Sequence, residues 1–226
     1  MSRKDEIRAA YRVTGGTASV YDGMITCTTP VGIAISEAVW GIGPEENAAY
    51  LERAMEGVPE GFSGTLLEVP VGTGILTMPL YKTLPNAQVT CLDYSADMMA
   101  GAERRAAEMG LSNVTFRQGD VGALPFADES FDTVLSLNGF HAFPNKEAAF
   151  AETYRVLKPG GTFCGCFYVE GEKRRTDLLI KSLYVRAGFF TPPFETRGSL
   201  LARLSGMYAS ARVECFKSIA CFTCVR

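Results

Sequence analysis

A chain of 226 residues with 47% hydrophobic side chains has the length of one domain, or of one with a modest extension, and enough apolar material for a substantial core. Its 22 Lys and Arg against 25 Asp and Glu leave a formal charge of −3, so no broad basic field exists for tracking phosphates and nucleic acid is not an expected partner. No apolar run nears the ~20 residues of a bilayer span, and no apolar stretch follows the basic residues near Met1, which reads as a cytoplasmic chain without a membrane span.

The first 60 residues read as helices joined by loops, punctuated by Gly15-Gly16-Thr17 and Thr28-Thr29-Pro30, with an apolar stretch from Val31 to Ile42. They form an expected N-terminal helical cap or lid (1–60), divided from a second unit (61–226) by the linker Gly57-Val58-Pro59-Glu60-Gly61. Tyr21, Asp22 and Trp40 belong to this cap, where they would line a pocket or simply pack it.

From Gly64 to Val169, short runs rich in Val, Leu, Thr and Phe alternate with segments of helical period, the pattern of βαβ units on a mostly parallel sheet. Strands are predicted at Thr65–Pro70, Gln88–Asp93, Val114–Gln118, Phe131–Leu137 and Thr162–Val169. Ser95 is a candidate N-cap for a helix over Ala96–Met109, which Gly110 stops. A second helix over Lys146–Leu157 should end at Lys158-Pro159-Gly160-Gly161, a turn toward the next strand. Beyond Gly171 follow a basic turn (Lys173, Arg174, Arg175), a helical Leu178–Ala187, a Pro-containing loop (Phe189–Phe194) and a helical piece to Tyr208. Residues 171–210 thus read as further lid elements, and Ala211–Arg226 as two strands.

The sharpest chemical signal is Leu66-Leu67-Glu68-Val69-Pro70-Val71-Gly72-Thr73-Gly74, a buried strand entering a Gly-x-Gly turn that should open a helix. Glycines there let the backbone lie against a ligand. The third glycine of a dinucleotide fingerprint is missing, since Thr77 stands three residues after Gly74. Asp93 ends the second strand 19 residues beyond Gly74, close to the spacing at which a carboxylate accepts both hydroxyls of a ribose. The pair predicts an adenosine-like ligand.

These residues fall into ordered blocks. To the glycine turn are added Leu92-Asp93-Tyr94-Ser95-Ala96-Asp97-Met98-Met99, Gln118-Gly119-Asp120-Val121 with Leu124-Pro125-Phe126, Phe131-Asp132-Thr133-Val134, and Glu152 with Arg155-Val156-Leu157-Lys158-Pro159-Gly160-Gly161. Together they resemble the class I S-adenosylmethionine-dependent methyltransferases, in particular the subgroup similar to ubiquinone/menaquinone biosynthesis methyltransferases. The resemblance covers residues 64–170. It implies a Rossmann-like, doubly wound α/β sheet of about seven strands, mostly parallel with the last antiparallel, and transfer of a methyl group from S-adenosyl-L-methionine to a small-molecule acceptor.

Carried over residue by residue, the resemblance places Gly72, Thr73 and Gly74 against the methionine part of the cofactor, with Glu68 anchoring the loop or the ammonium group. It gives the ribose to Asp93, the adenine flanks to Tyr94 and Met98, the adenine amino group and a ring nitrogen to Asp120 and Val121, and the methionine moiety to Asn138. Asp120 follows Gly119 and could instead form an Asx turn. Pro70 stands where the family usually has its first glycine, and Pro79 falls early in the following helix, where it should bend the first turns.

His141, the chain's one histidine, lies just past the fourth strand, at the edge where open α/β sheets bind ligands. It could be a catalytic base for the acceptor or could merely line the pocket. A single histidine excludes metal sites that need two or more. The odd count of seven cysteines argues against a disulfide framework. Cys221-x-x-Cys224 with Cys164-x-Cys166 fails as a four-thiolate metal site, because strand residues three apart face opposite sides; no metal is expected. The remaining alternatives are a non-catalytic S-adenosylmethionine-binding protein and a nicotinamide-dependent oxidoreductase.

Overall fold

The computed structural model describes residues 18–226, so Gly15-Gly16-Thr17 lie outside the described residues. Three helices come first: α1 (Ala18–Thr26), α2 (Pro30–Val39) and α3 (Pro44–Ala54). Thr29 caps α2 by accepting the Gly32 N–H, and both α2 and α3 begin on a proline, where a missing N–H costs nothing. The core then runs β1 (Thr65–Glu68), α4 (Met78–Lys82), β2 (Gln88–Asp93), α5 (Ala96–Glu108), β3 (Val114–Gln118), a 3-10 turn (Val121–Ala123), β4 (Phe131–Leu137), α6 (Lys146–Arg155) and β5 (Leu157–Tyr168). After β5 come α7 (Arg174–Leu179), which continues into a π-helical turn (Ile180–Tyr184), then α8 (Arg197–Met207), β6 (Ser210–Phe216) and β7 (Ile219–Val225).

The seven strands form one sheet in the order β3-β2-β1-β4-β5-β7-β6. β1 pairs in parallel with both β2 and β4, so the strand order reverses at β1/β4 and opens a crevice at their carboxyl ends. β7 alone runs antiparallel to its neighbours, β5 and β6. Alternation along each strand divides the core between the two faces: Leu66, Cys91, Cys166 and Cys221 pack on one, Leu67, Leu92, Phe167 and Cys224 on the other. Cys221 and Cys224 are therefore on opposite sides of the sheet. Among the described residues no group of three or more metal-ligating side chains gathers, and no helix is long and apolar enough to cross a membrane.

The structure corrects four sequence expectations. β1 stops at Glu68, before Pro70, which has no N–H to extend the ladder. The helix expected directly after Gly74 starts only at Met78, because Gly72 and Gly74 adopt φ of +58° and +68°, outside helical backbone; Pro79 then sits in the first turn of a short α4. Lys158-Pro159-Gly160-Gly161 lies within β5, held by the Gly160 N–H donating to the Arg226 carbonyl and the Arg226 N–H donating to that of Gly161. Lys173 is the N-cap residue of α7, with Arg174 and Arg175 in its first turn.

Candidate functional site

One cavity opens over the carboxyl ends of β1, β2 and β4, and Glu68, Gly72, Thr73, Gly74, Asp93, Tyr94, Met98, Asp120, Val121 and Asn138 all line it. Asp93 organises its floor. One carboxylate oxygen accepts the Gly72 N–H and the other the Ser95 N–H, both at 2.8 Å, so a single side chain fixes the glycine loop to the start of α5. Burial pushes its pKa up to about 6, outweighing the lowering effect of the N–H groups of Ser95, Gly72 and Tyr94. Ser95 in turn caps α5 by accepting the Met98 N–H, which sets the methionine beside the loop.

Glu68 faces the same cavity but is already engaged. Its Oε2 accepts from the Tyr81 hydroxyl at 2.8 Å and from the Cys91 thiol at 3.5 Å, joining α4 to β1 and β2. Burial raises its pKa to about 8 despite these bonds, so the side chain is a neutral acid at pH 7. Asp120 accepts the Gly122 N–H at 2.9 Å, the Asx turn that opens the 3-10 turn, while its residue also walls the cavity. Asn138, at φ +55°, turns the chain sharply out of β4 and donates its N–H to the Cys166 carbonyl at 2.7 Å.

The structure also explains how Pro70 fits where a glycine was expected. The Val69–Pro70 peptide is cis, and a Cβ on Gly139 would come within 2.4 Å of the Pro70 ring. The glycine that lets the backbones approach is thus supplied across the crevice, by the turn after β4.

No local motif marks the contact that ties α1 to this loop. Asp22 accepts from the Thr73 hydroxyl at 2.6 Å and pairs with Arg105 on α5 at 2.8 Å, while the Arg105 Nε donates to the Thr73 carbonyl. Arg105 is a charged residue on the polar side of an amphipathic helix, and only the packing of a distant helix reveals its part. Beside Asp22, Tyr21 walls the same cavity. Its phenol is held well above its ordinary pKa by burial, with Asp93 and Asp22 adding to the effect.

Beyond Tyr21 lies a second cavity of about 260 Å³, near the lower end of ligand-pocket volumes (roughly 300–1,000 Å³). Tyr21, Ile25 and Asn138 belong to both walls, so the two spaces are neighbours. His141 lies in this second wall and is absent from the first. The imidazole is 6% exposed, lies flat on Phe190 at a ring separation of 3.9 Å, and accepts the Tyr168 N–H on Nδ1 at 3.2 Å. Burial, with some help from the Lys146 charge, drives its pKa down to about 3.

Residues 66–161 match the methyltransferase domain family. The core of this chain is thus similar to methyltransferase domains. It is 40% identical over 112 residues to a demethylmenaquinone methyltransferase of Thermus thermophilus, covering 50% of each chain. It is 42% identical over 99 residues to a phosphatidylethanolamine N-methyltransferase of Cereibacter sphaeroides, covering 43% of this chain and 47% of that one. Among solved structures, a chain from the complex between the Haloferax volcanii Trm112 methyltransferase activator and a methyltransferase superposes with a TM-score of 0.68 at 17% identity, over 97% of this chain and 96% of that one. This chain spans about half the length of the curated relatives it matches. The similarity implies S-adenosyl-L-methionine as the cofactor. The residues fit it: a buried carboxylate stands at the β2 end, and the positive-φ Gly72 leaves its side-chain position clear to the Met98 methyl at 3.8 Å.

Proposed function

We propose that this chain is an S-adenosyl-L-methionine-dependent methyltransferase acting on a small-molecule acceptor. The observation that carries the reading is Asp93, whose two oxygens hold the glycine loop against the end of β2 in the cavity all the cofactor candidates share. A carboxylate has about four lone-pair sites, and the N–H groups of Ser95, Gly72 and Tyr94 take three, so Asp93 keeps capacity for one ribose hydroxyl and would accept the second by giving up or sharing a loop N–H. Tyr94, Met98 and Val121 would flank the adenine, Asp120 would meet its amino group, and the Gly72–Gly74 backbone and Asn138 would hold the methionine end. Glu68 acts through Tyr81 and Cys91 as the anchor of the loop, not as a partner of the ammonium group.

When bound, the cofactor supplies an electrophilic sulfonium methyl that an acceptor nucleophile attacks in line. The chain's own contribution is then alignment and exclusion of water. Tyr21 and Asn138 separate the two cavities and would set the approach of the acceptor, while α1, clamped by Asp22, closes over the loop. The cap (1–60) and residues 171–210 would form the lid that chooses the acceptor in the cytoplasm, independently of nucleic acid. The named acceptors of the two relatives, a quinone precursor and a phospholipid, show how widely that choice varies on such a domain.

Calorimetric titration with S-adenosylmethionine, its demethylated product and NADH tests the cofactor: micromolar binding of the first two without NADH is expected, and the reverse pattern refutes the proposal. Radiolabelled methyl transfer to a panel of small acceptors separates the enzyme from a non-catalytic binder.

A further inference from the structure

The second cavity borders the cofactor cavity through Tyr21, Ile25 and Asn138, and its chemistry is unusually uniform. Among the described residues, no Asp, Glu, Lys or Arg lines it. Trp40, Tyr184, Phe189 and Phe190 supply an aromatic wall, with Trp40 stacked on Phe190 at 6.2 Å and 28°. An ion moved here would lose its hydration with no opposite charge to replace it. The ring faces are also largely spent on one another, since Phe190 carries His141 on its face and packs against Trp40, which leaves little open π surface for a cation.

Two of the polar side chains in the wall are satisfied by backbone carbonyls. The Ser36 hydroxyl donates to the Ile42 carbonyl and the Asn47 amide to the Ile25 carbonyl. His141 differs. Because Nδ1 accepts the Tyr168 N–H, the ring proton sits on Nε2, and Nε2 has no hydrogen-bond partner among the described residues.

We propose that this cavity is the acceptor site and that it selects an uncharged ring compound carrying a lone pair, which accepts a hydrogen bond from the Nε2–H of His141. This inference rests on the methyltransferase reading and deepens it. His141 is then a specificity-determining donor, not the base of the reaction. Its tautomer is fixed by a backbone N–H, and its strongly depressed pKa keeps the ring neutral through the physiological range, with too little basicity to draw a proton from an acceptor. The nucleophile must accordingly come with the acceptor.

The test uses the full chain saturated with demethylated cofactor, so that the first cavity is filled. Four one-ring probes are titrated: acetophenone, ethylbenzene, benzoate and benzylammonium. Quenching of Trp40, the chain's one tryptophan, reports occupancy of the second cavity. Acetophenone should bind at least about tenfold more tightly than benzoate or benzylammonium. In His141→Phe, which keeps the ring stack but removes the donor, acetophenone should weaken roughly tenfold while ethylbenzene is unchanged. Equal affinity for the charged probes, an unchanged acetophenone affinity in a folded variant, or no Trp40 quenching by any probe overturns the proposal. The wild-type series decides the charge selectivity even if the variant fails to fold. Saturation by the demethylated cofactor is itself recorded first, so failure there counts against the methyltransferase reading, and failure of the probes alone counts against the acceptor site.

Discussion

Asp93 and Glu68 lie in the same crevice, both pushed above the usual carboxylate range by burial, and they should respond to pH in opposite experimental readouts. For Asp93 the ionised form is the one that would accept ribose hydroxyls. Its pKa near 6 in the free protein means that cofactor affinity is full above that value and falls as pH drops through it, by up to about tenfold per unit. Calorimetry at pH 7 and pH 5 should show about a tenfold loss, and Asp93→Ala should cost on the order of 1.5–3 kcal/mol of binding at pH 7. Unchanged affinity in the folded variant would remove Asp93 from the ribose. Glu68 concerns stability instead. Its carboxyl goes from an ordinary value of 4.5 to about 8 on folding, so the folded protein holds the proton more tightly. The resulting stability is fully present below 4.5 and is lost as pH rises through 8. Glu68→Gln keeps the acceptor oxygen for Tyr81 and Cys91 and removes the titration. Between pH 6 and pH 9 the wild type should lose on the order of 3 kcal/mol relative to this variant, read by denaturant unfolding; parallel curves would mean that Glu68 is ionised in the fold.

At the scale of elements, the parts of the fold governed by local pattern were legible from the residues alone. β2, β3 and β4 have the bounds that their apolar runs indicate, and α5 begins at the Ser95 cap and stops just before Gly110. What local pattern could not carry was pairing with distant chain: β5 incorporates Pro159-Gly160-Gly161 only because Arg226 bonds across to them. The candidate site divides the same way. Its cofactor half sits on consecutive strand ends and shows as ordered blocks, whereas the second cavity draws on α1, α2, α3 and the loops after β4 and the π-helical turn, so no spacing along the chain announces it. The Asp22 clamp is of this second kind. Asp22→Asn should remove the ion pair with Arg105 while leaving α1 able to form. The side chains remain 25% exposed for Arg105 and 16% for Asp22, so solvent still screens the pair and on the order of 1 kcal/mol is at stake. Amide exchange across Ala18–Thr26 should quicken several-fold, and cofactor release with it. If exchange quickens in α3 as much as in α1, the clamp is not what holds the helix.

Across the whole molecule, seven free thiols are distributed so that they report on how the pieces open. Cys215, on the outer strand β6, is the partly buried one; Cys91, Cys164, Cys166, Cys221 and Cys224 are buried in the sheet, and Cys27 is buried just past the end of α1. Burial raises the thiols of Cys164, Cys166 and Cys224 to about 12, so they carry almost no thiolate until the structure opens. Burial also raises the Cys215 thiol, to about 11, but it is the one cysteine that keeps partial exposure, so a thiol reagent added to the native protein should react with it first. If residues 1–60 open as a lid over a persistent core, Cys27 follows at an intermediate rate and the five sheet thiols react last, at the rate of global unfolding. Saturating demethylated cofactor should slow Cys27 further, because α1 is bonded to the loop proposed to hold the ligand, and should leave Cys215 unaffected. Mass spectrometry of the time course assigns each thiol. Simultaneous labelling of Cys27 and the five sheet thiols would instead make cap and core one cooperative unit, and admission of the cofactor would then need a smaller motion than the lifting of α1.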